Sequence, residues 1–414
     1  MDARKWLTSK RLRAHSIILA ACLWSFYAWN LATPGLRDRS GHLKGTDFLH
    51  FYTLGSLAAA HRGSDLYNIN AQASLAAQRV PAAEGLRYLP LYPPQVSLLF
   101  APLSYLSYGS ALIVWWAFSA VVYAMCCFAV WRGCPHLRDD GITVFIAALA
   151  YPAFFHLIAW GQTSALALAC FTGVFFLLRA KRDFTAGLVL GCLIFKPQLG
   201  LTAAAVFVLT GAWRTVLGAA LSAAAQLGIG VACYGAEPLR QWIRTLSNAQ
   251  ALMPLLEPRP YQTHSLRTFW SMLIPWPGIA LGFYVVSAIA VAGLTIYLWK
   301  SDCAIPLPVR YSSLLVATAL IAPHLTVYDL VIFAPALLLL TDWLVGQSMA
   351  GRSRNAVYGR LGFLVYAVYA LPLLGFLARW TRVQLSVIAM SAIVHFVWDA
   401  RRSGQFESQN RELP

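Results

Sequence analysis

Apolar runs of about 18 to 22 residues recur along nearly the whole chain, each long enough for a hydrocarbon core roughly 30 Å thick. Basic residues punctuate them. Nothing in the runs has the short alternating pattern of a membrane barrel, so membrane-spanning helices remain as the solution that satisfies every backbone polar group internally. Of 414 residues, 59% are hydrophobic and only 12% charged. With a mean hydropathy of +0.60, a soluble domain of this size would lack the charge to cover its surface. The fold class expected is all-α: a polytopic transmembrane helical bundle.

A formal charge of +16 raises nucleic acid as a partner. The basic residues are scattered between apolar runs rather than gathered on one soluble face, so no nucleic-acid partner is expected. They serve better as topology signals. The eight cysteines lie in apolar runs or in segments assigned to the cytoplasmic side, with no zinc-like spacing and no disulfide framework. The first run, Ile17 to Leu31, follows Arg4-Lys5 and Lys10-Arg11-Leu12-Arg13. It reads as an uncleaved first anchor, because no clean small-x-small cleavage site follows it.

Threading by the positive-inside rule gives about 12 spans with both termini inside. Span one ends near Thr33-Pro34, and a long outer segment runs from about Gly35 to Tyr92. Within it, Asp47 to Arg62 has apolar residues at helical spacing and is expected to lie along the interface as an amphipathic helix. Ala111 to Trp131 and Ile142 to Ile158 are expected spans, and a fourth ends at Arg179-Ala180-Lys181-Arg182. Lys196-Pro197-Gln198 falls at an outer turn between two shorter runs, a place for a broken or re-entrant helix. A second outer loop spans about Gly235 to Pro275. Residues 1–402 are expected to form one integral-membrane domain, with 403–414 a short polar tail.

This threading gathers the chemically capable residues on one face. Asp47 and His50 lie in the first outer segment and Tyr92-Pro93-Pro94 at its end; Gln162, Lys196, His264 and His324 lie on later outer turns. Acids are scarce, and ionisable groups at a membrane are retained where function requires them. Asp47 is therefore the candidate general base, with capping of the following helix as its structural alternative. Tyr92 starts a helix with its prolines or lines a pocket, and Gln162 makes a turn or donates to a sugar or phosphate. Lys196, deep in apolar sequence, either snorkels to the interface or meets an anionic phosphate. Asp329 is expected to pair with a neighbouring helix and Asp342 to be structural.

Together, Asp47-Phe48…Tyr52, Gly63-x-Asp65-Leu66-Tyr67, Tyr92-Pro93-Pro94…Ala101-Pro102-Leu103, Gly161-Gln162-x-Ser164, Lys196-Pro197-Gln198 and Pro323-His324…Tyr328-Asp329-Leu330 resemble glycosyltransferase family 87 in order and spacing. The likeness runs from Asp47 to Leu330. It implies a GT-C-type fold, Asp47 in the catalytic-base position and His324 on the substrate side. It also implies a polyprenyl-phosphate sugar as donor, with mannose the expected hexose, and a lipid or glycan acceptor at the outer face of the inner membrane. One departure is Gln262-Thr263-His264-Ser265-Leu266, where the family often has an amide before Ser-Leu.

The expected chemistry is inverting transfer. Asp47 takes the acceptor proton, and Lys196 with Arg259 or Arg267 holds the leaving phosphate. His50, Tyr92, Gln162, Gln198, His264 and His324 complete the substrate-binding set. No acidic pair accompanies Asp47 and no Gly-rich nucleotide fingerprint is present, so no metal and no cofactor are expected. A lipid or glycan transporter or flippase is the alternative. It would favour midplane ionisable residues and related halves, neither of which is evident. A scaffold of an envelope assembly complex would leave the one-sided acid, lysine and histidines unexplained.

Overall fold

The computed structural model describes residues 8–300, 305–349 and 356–402. The expected polar tail, Arg4-Lys5, Cys303, Arg352 and Arg354 fall outside them. Among the described residues there is no strand, only the bridged pairs Arg37–Leu43 and Thr263–Thr326. Everything else that is regular is helical.

Helix α1, Ser9–Leu31, starts where the Thr8 side chain accepts from the Arg11 N–H. The outer segment that follows folds into α2 (Phe48–Ala59), α3 (Ile69–Arg79) and the short α4 (Val96–Phe100). Helix α2 corrects the expectation of an interfacial amphipathic helix, since eleven of its twelve residues are buried. Its sequence is apolar around the whole circumference, and such a helix must be enclosed. Its polar side chains turn back on the helix, Thr53 to the Leu49 carbonyl and Ser56 to that of Tyr52, both at 2.8 Å. It packs against α4 and against α5, Tyr108–Arg132.

The expected span Ile142–Ile158 is broken. Helix α6 (Gly141–Leu149) and helix α7 (Pro152–Trp160) meet at 45°, because Pro152 denies an N–H to the preceding turn and disfavours helix at Tyr151. Helix α8, Ser164–Arg179, follows after a tight turn.

Two half-length helices come next, α9 (Asp183–Gly191, continued by a 3-10 turn to Phe195) and α10 (Pro197–Leu209), and then the long α11 (Trp213–Tyr234). Glycine allows backbones to touch here: a Cβ on Gly187 would lie 2.1 Å from the Thr215 carbonyl oxygen, and one on Gly191 2.3 Å from that of Ala219. Both pairs are separated by the same 28 residues, so α9 and α11 run parallel and α10 must run back between them. Lys196 sits at the tip of this hairpin, level with about residue 224 of α11. At about 1.5 Å per residue that is roughly 15 Å short of the end of α11. The tip is inside the bundle.

The second outer loop carries α12 (Ala236–Ser247), α13 (Ala249–Leu256) and α14 (Leu266–Leu273). Then come α15 (Pro277–Lys300), α16 (Leu307–Ile321), a 3-10 stretch Val327–Phe333 running into α17 (Ala334–Met349), α18 (Ala356–Ala370), the single turn α19 (Ala378–Thr381) and α20 (Leu385–Arg402).

Five helical stretches among the described residues are long and apolar enough to cross a membrane: Tyr108–Arg132, Trp213–Tyr234, Pro277–Lys300, Val327–Met349 and Tyr358–Thr381. The bent α6–α7 pair makes six. Helices α8, α9, α10 and α16 are apolar but shorter. The outward faces of the long helices are themselves apolar, as with Phe283, Val285, Val286 and Ile289 on α15, which is the signature of a lipid environment. At the opposite end from Asp47, Arg13 bonds Asp140 and Thr143, and Asp342 accepts from the His136 backbone at 2.8 Å. Asp342 has the structural place expected of it.

Candidate active site

Three helix breaks and both outer loops meet around a cavity of about 1070 Å³. Asp47 lies on its wall at the start of α2. The Asp47 N–H donates to the Trp160 carbonyl at 3.0 Å, which ties the outer segment to the α7–α8 turn. That turn needs Gly161, whose φ of 69° is left-handed and whose absent Cβ would lie 2.7 Å from the Cβ of Phe48. It delivers Gln162 to Asp47, Nε2 donating to Oδ2 at 2.6 Å. The Gln162 oxygen accepts from the Tyr92 hydroxyl at 3.4 Å and the Thr163 N–H at 3.3 Å.

The Asp47 side chain makes no capping bond to α2; its carboxylate is turned to the cavity instead. The surrounding protein desolvates it and pushes its pKa up to about 6, against the opposing pull of the Gln162 bond and the positive charge of Lys196. A carboxylate that titrates near neutrality is a better base than an ordinary one and is still mostly ionised at pH 7. His50, one turn along α2, is 5% exposed and lies between the rings of Tyr88 and Tyr92, 5.4 and 5.9 Å away. Neither ring nitrogen has a protein partner among the described residues. Burial lowers its pKa to about 4, so it faces the cavity as a neutral imidazole.

Lys196 reaches the cavity but is already paired. Its Nζ lies 2.7 Å from Asp329 Oδ1 and 3.0 Å from Ser164 Oγ, and the Ser164 hydroxyl donates to the same carboxylate oxygen at 2.6 Å. The expectation of a phosphate as its counter-charge is corrected on this point. A fully desolvated ammonium needs an opposite charge at all times, and the protein supplies one from the next break. Asp329 Oδ2 in turn bonds Thr326 in a capping box at the start of the 3-10 stretch. The triad therefore joins the α7–α8, α9–α10 and α16–α17 turns.

Above it, the second outer loop is pinned to the segment before Asp329. The His264 N–H donates to the Leu325 carbonyl at 2.8 Å, beside the Thr263–Thr326 bridge. The His264 ring is wholly buried, with Nδ1 2.6 Å from Ser386 Oγ, and does not line the cavity. Arg267 does not line it either; its guanidinium lies 3.6 Å from Glu257. These two expected substrate contacts hold the loop in place instead. The other expected residues, Tyr92, Gln162, Lys196, Gln198, Arg259 and His324 with Asp47 and His50, all line the cavity.

Sequence reasoning overlooked Glu257. It lines the cavity, and its Oε1 is 3.0 Å from His324 Nδ1. Its signal was available: Glu237 and Glu257 are the acids of the second outer loop, and the scarcity argument that picked out Asp47 applies equally to them. Among the described residues no group of three or more His, Cys, Asp or Glu side chains is placed to hold a metal ion.

Helices with apolar outer faces, interrupted where their polar residues converge, define a multi-pass membrane protein built around a ligand-sized cavity. The family model for glycosyltransferase family 87 matches residues 91–323, more than half of the chain. The chain belongs to that family and is a membrane glycosyltransferase. The matched region includes Tyr92, Gln162, Lys196 and Glu257 and stops short of Asp47, His50 and His324. No curated protein and no solved structure matches the chain.

Proposed function

We propose that the protein moves a hexose, mannose by family resemblance, from a polyprenyl-phosphate sugar to a lipid or glycan acceptor at the outer face of the inner membrane. Transfer inverts the anomeric centre, and Asp47 is the base. The observation that carries this reading is the Asp47 carboxylate on the cavity wall, held by Gln162 at 2.6 Å and raised to about 6 by burial.

In the reaction, the acceptor oxygen bonds to the anomeric carbon as its proton passes to Asp47. The bond from that carbon to the phosphate oxygen breaks, and the electron pair leaves with the polyprenyl phosphate. Arg259, exposed at the cavity rim, is the cation assigned to the leaving phosphate; Lys44 and Arg87 also line the cavity, while the charge of Lys196 is balanced by Asp329. His50 and His324 present imidazoles to substrate hydroxyls, while Tyr92, Gln162 and Gln198 shape the polar wall. A cavity of about 1070 Å³ has room for a sugar, its phosphate and part of an acceptor. The reading retains a GT-C-type bundle of about 12 crossings, with the shorter apolar helices counted among them.

The test is transfer from radiolabelled polyprenyl-phosphate mannose to bacterial lipid extract by protein in nanodiscs. Asp47→Asn should fold and lose activity by about 10²-fold or more, the range a positioned base supplies. Equal transfer by the wild type and this variant would remove Asp47 from the chemistry.

A further inference from the structure

The second outer loop brings a buried acid to a histidine of the cavity wall. Glu257 follows α13, and its side chain is 7% exposed. Its carboxylate is held on every side: Thr268 Oγ1 lies 3.2 and 3.0 Å from its two oxygens, Arg267 3.6 Å from Oε2, and His324 Nδ1 3.0 Å from Oε1. An ionised carboxylate accepts and cannot donate. The shared proton therefore belongs to Nδ1 of His324, whose side chain is 16% exposed and lines the cavity. The ring nitrogen left for the cavity is Nε2. Asp47 and His324 line the same cavity, so the two side chains face the same reaction space.

We infer that Glu257 is a positioning residue that fixes the tautomer and direction of His324, presenting Nε2 to the substrate as a proton acceptor or, once protonated, as a donor. Three features favour this over a purely structural acid. Arg267 has its own packing on the loop and needs only one carboxylate oxygen. Thr268 Oγ1 has a second neighbour in Ser265 Oγ at 3.3 Å. The contact to His324, at 3.0 Å, is shorter than that to Arg267, at 3.6 Å. The Thr263–Thr326 bridge and the His264 bond to Leu325 lock the loop beside His324, so the acid arrives already oriented. Because Glu257 acts through His324, it needs no contact with substrate. This role deepens the transferase reading above, and its spectroscopic arm is independent of that reading.

The test uses the full chain in nanodiscs with ¹⁵N-labelled histidine. In the wild type at neutral pH, His324, assigned by comparison with His324→Gln, should show the signature of an N–H at Nδ1 and an acceptor at Nε2. Glu257→Gln, which keeps the side-chain size, and Glu257→Ala should each move that signature toward a mixture of tautomers. In the transfer assay, either change should lower turnover on the order of tenfold or more, part of what a positioned acid or base provides. In the His324→Gln background the same change should lower it no further. An unchanged His324 spectrum in both variants overturns the inference, as does a full multiplicative loss in the double variant. A wild-type enzyme inactive with the lipid-linked donor would count against the proposed function alone, because the spectra do not require turnover.

Discussion

Removing the amide that holds Asp47 should move the acid limb of the rate profile to higher pH. Gln162 Nε2 donates to Asp47 Oδ2 at 2.6 Å and so favours the ionised carboxylate. Gln162→Leu removes that donor at nearly constant volume; the other bonds of the amide, 3.3 and 3.4 Å long, are weak enough to lose. A hydrogen bond to a charged group contributes about 1.5–3 kcal/mol, and water from the cavity will restore part of it. The lower end, at about 1.4 kcal/mol per unit, is a rise of roughly one unit. The pKa would go from about 6 to about 7. Because the base must be unprotonated, activity is lost as pH falls through the folded-state pKa, and raising that pKa moves the loss to higher pH. At pH 6 the ionised fraction falls from about one half to about one tenth, and at pH 8 it changes by only about a tenth. The assay is kcat/KM for glycosyl transfer from pH 5 to 9, wild type against Gln162→Leu. An acid limb at the same pH in both proteins refutes the reasoning. So does a variant that loses the same factor at pH 8 as at pH 6, since Gln162 would then be acting on the substrate rather than on Asp47.

Lys196→Met alone should destabilise the protein by about 3–5 kcal/mol, because it strands a buried carboxylate, whereas Lys196→Met with Asp329→Leu should recover more than half of that loss. Thermal unfolding in detergent checks both, and a double variant no more stable than Lys196→Met would refute the stranded carboxylate as the cause of the loss. Arg259→Ala should raise the KM for the lipid-phosphate donor roughly tenfold, the effect of losing one phosphate contact of about 1.4 kcal/mol, without lowering the melting temperature. His264→Leu should do the reverse, losing about 1–3 kcal/mol of stability through the orphaned Ser386 hydroxyl while KM holds. Donor titrations and melting curves on the two variants separate the cavity contact from the loop pin.

The legible part of the fold was what composition and periodicity report directly. The long apolar run from Ala111 to Trp131 gave the lipid-facing helix α5 within a few residues, because a helix that meets lipid on most sides is apolar whatever its partners. Helix α2 was harder: apolar on all faces, it fits either an interface or an enclosed position, and only its contacts with α4 and α5 decide. The α6–α7 bend could have been read from Pro152, which makes Tyr151 a poor helical residue. The apolar run from Ile142 to Ile158 outweighed it in the reading. The reversal at Lys196 was legible as a break. Its depth was not, since that follows from the Gly187 and Gly191 contacts with α11.

The site divides along the same line. Asp47, Gln162, Lys196 and His324 stood out because polar residues in apolar sequence have few reasons to be there, and all of them reach one cavity. Their pairings could not be read: Lys196 and Asp329 are 133 residues apart, and no local pattern says that one completes the other. Yet the breaks have a common consequence. Helices α2, α8 and α10 and the 3-10 stretch at Val327 all begin at the cavity, so four sets of N-terminal N–H groups lie around it. Each α-helix start carries up to about half a positive charge, and a short 3-10 stretch carries less. In a membrane, broken helices are tolerated where their ends line such a space, and N-terminal ends favour anions. With the Lys196 ammonium balanced by Asp329, the helix ends remain as positive features of the wall beside Lys44, Arg87 and Arg259, and in the proposed reaction these would face the phosphate. The proline at the head of α10 and the glycine before Gln162 thus matter for chemistry as well as for shape: they bring the helix ends to the same place as the carboxylate that would accept the proton.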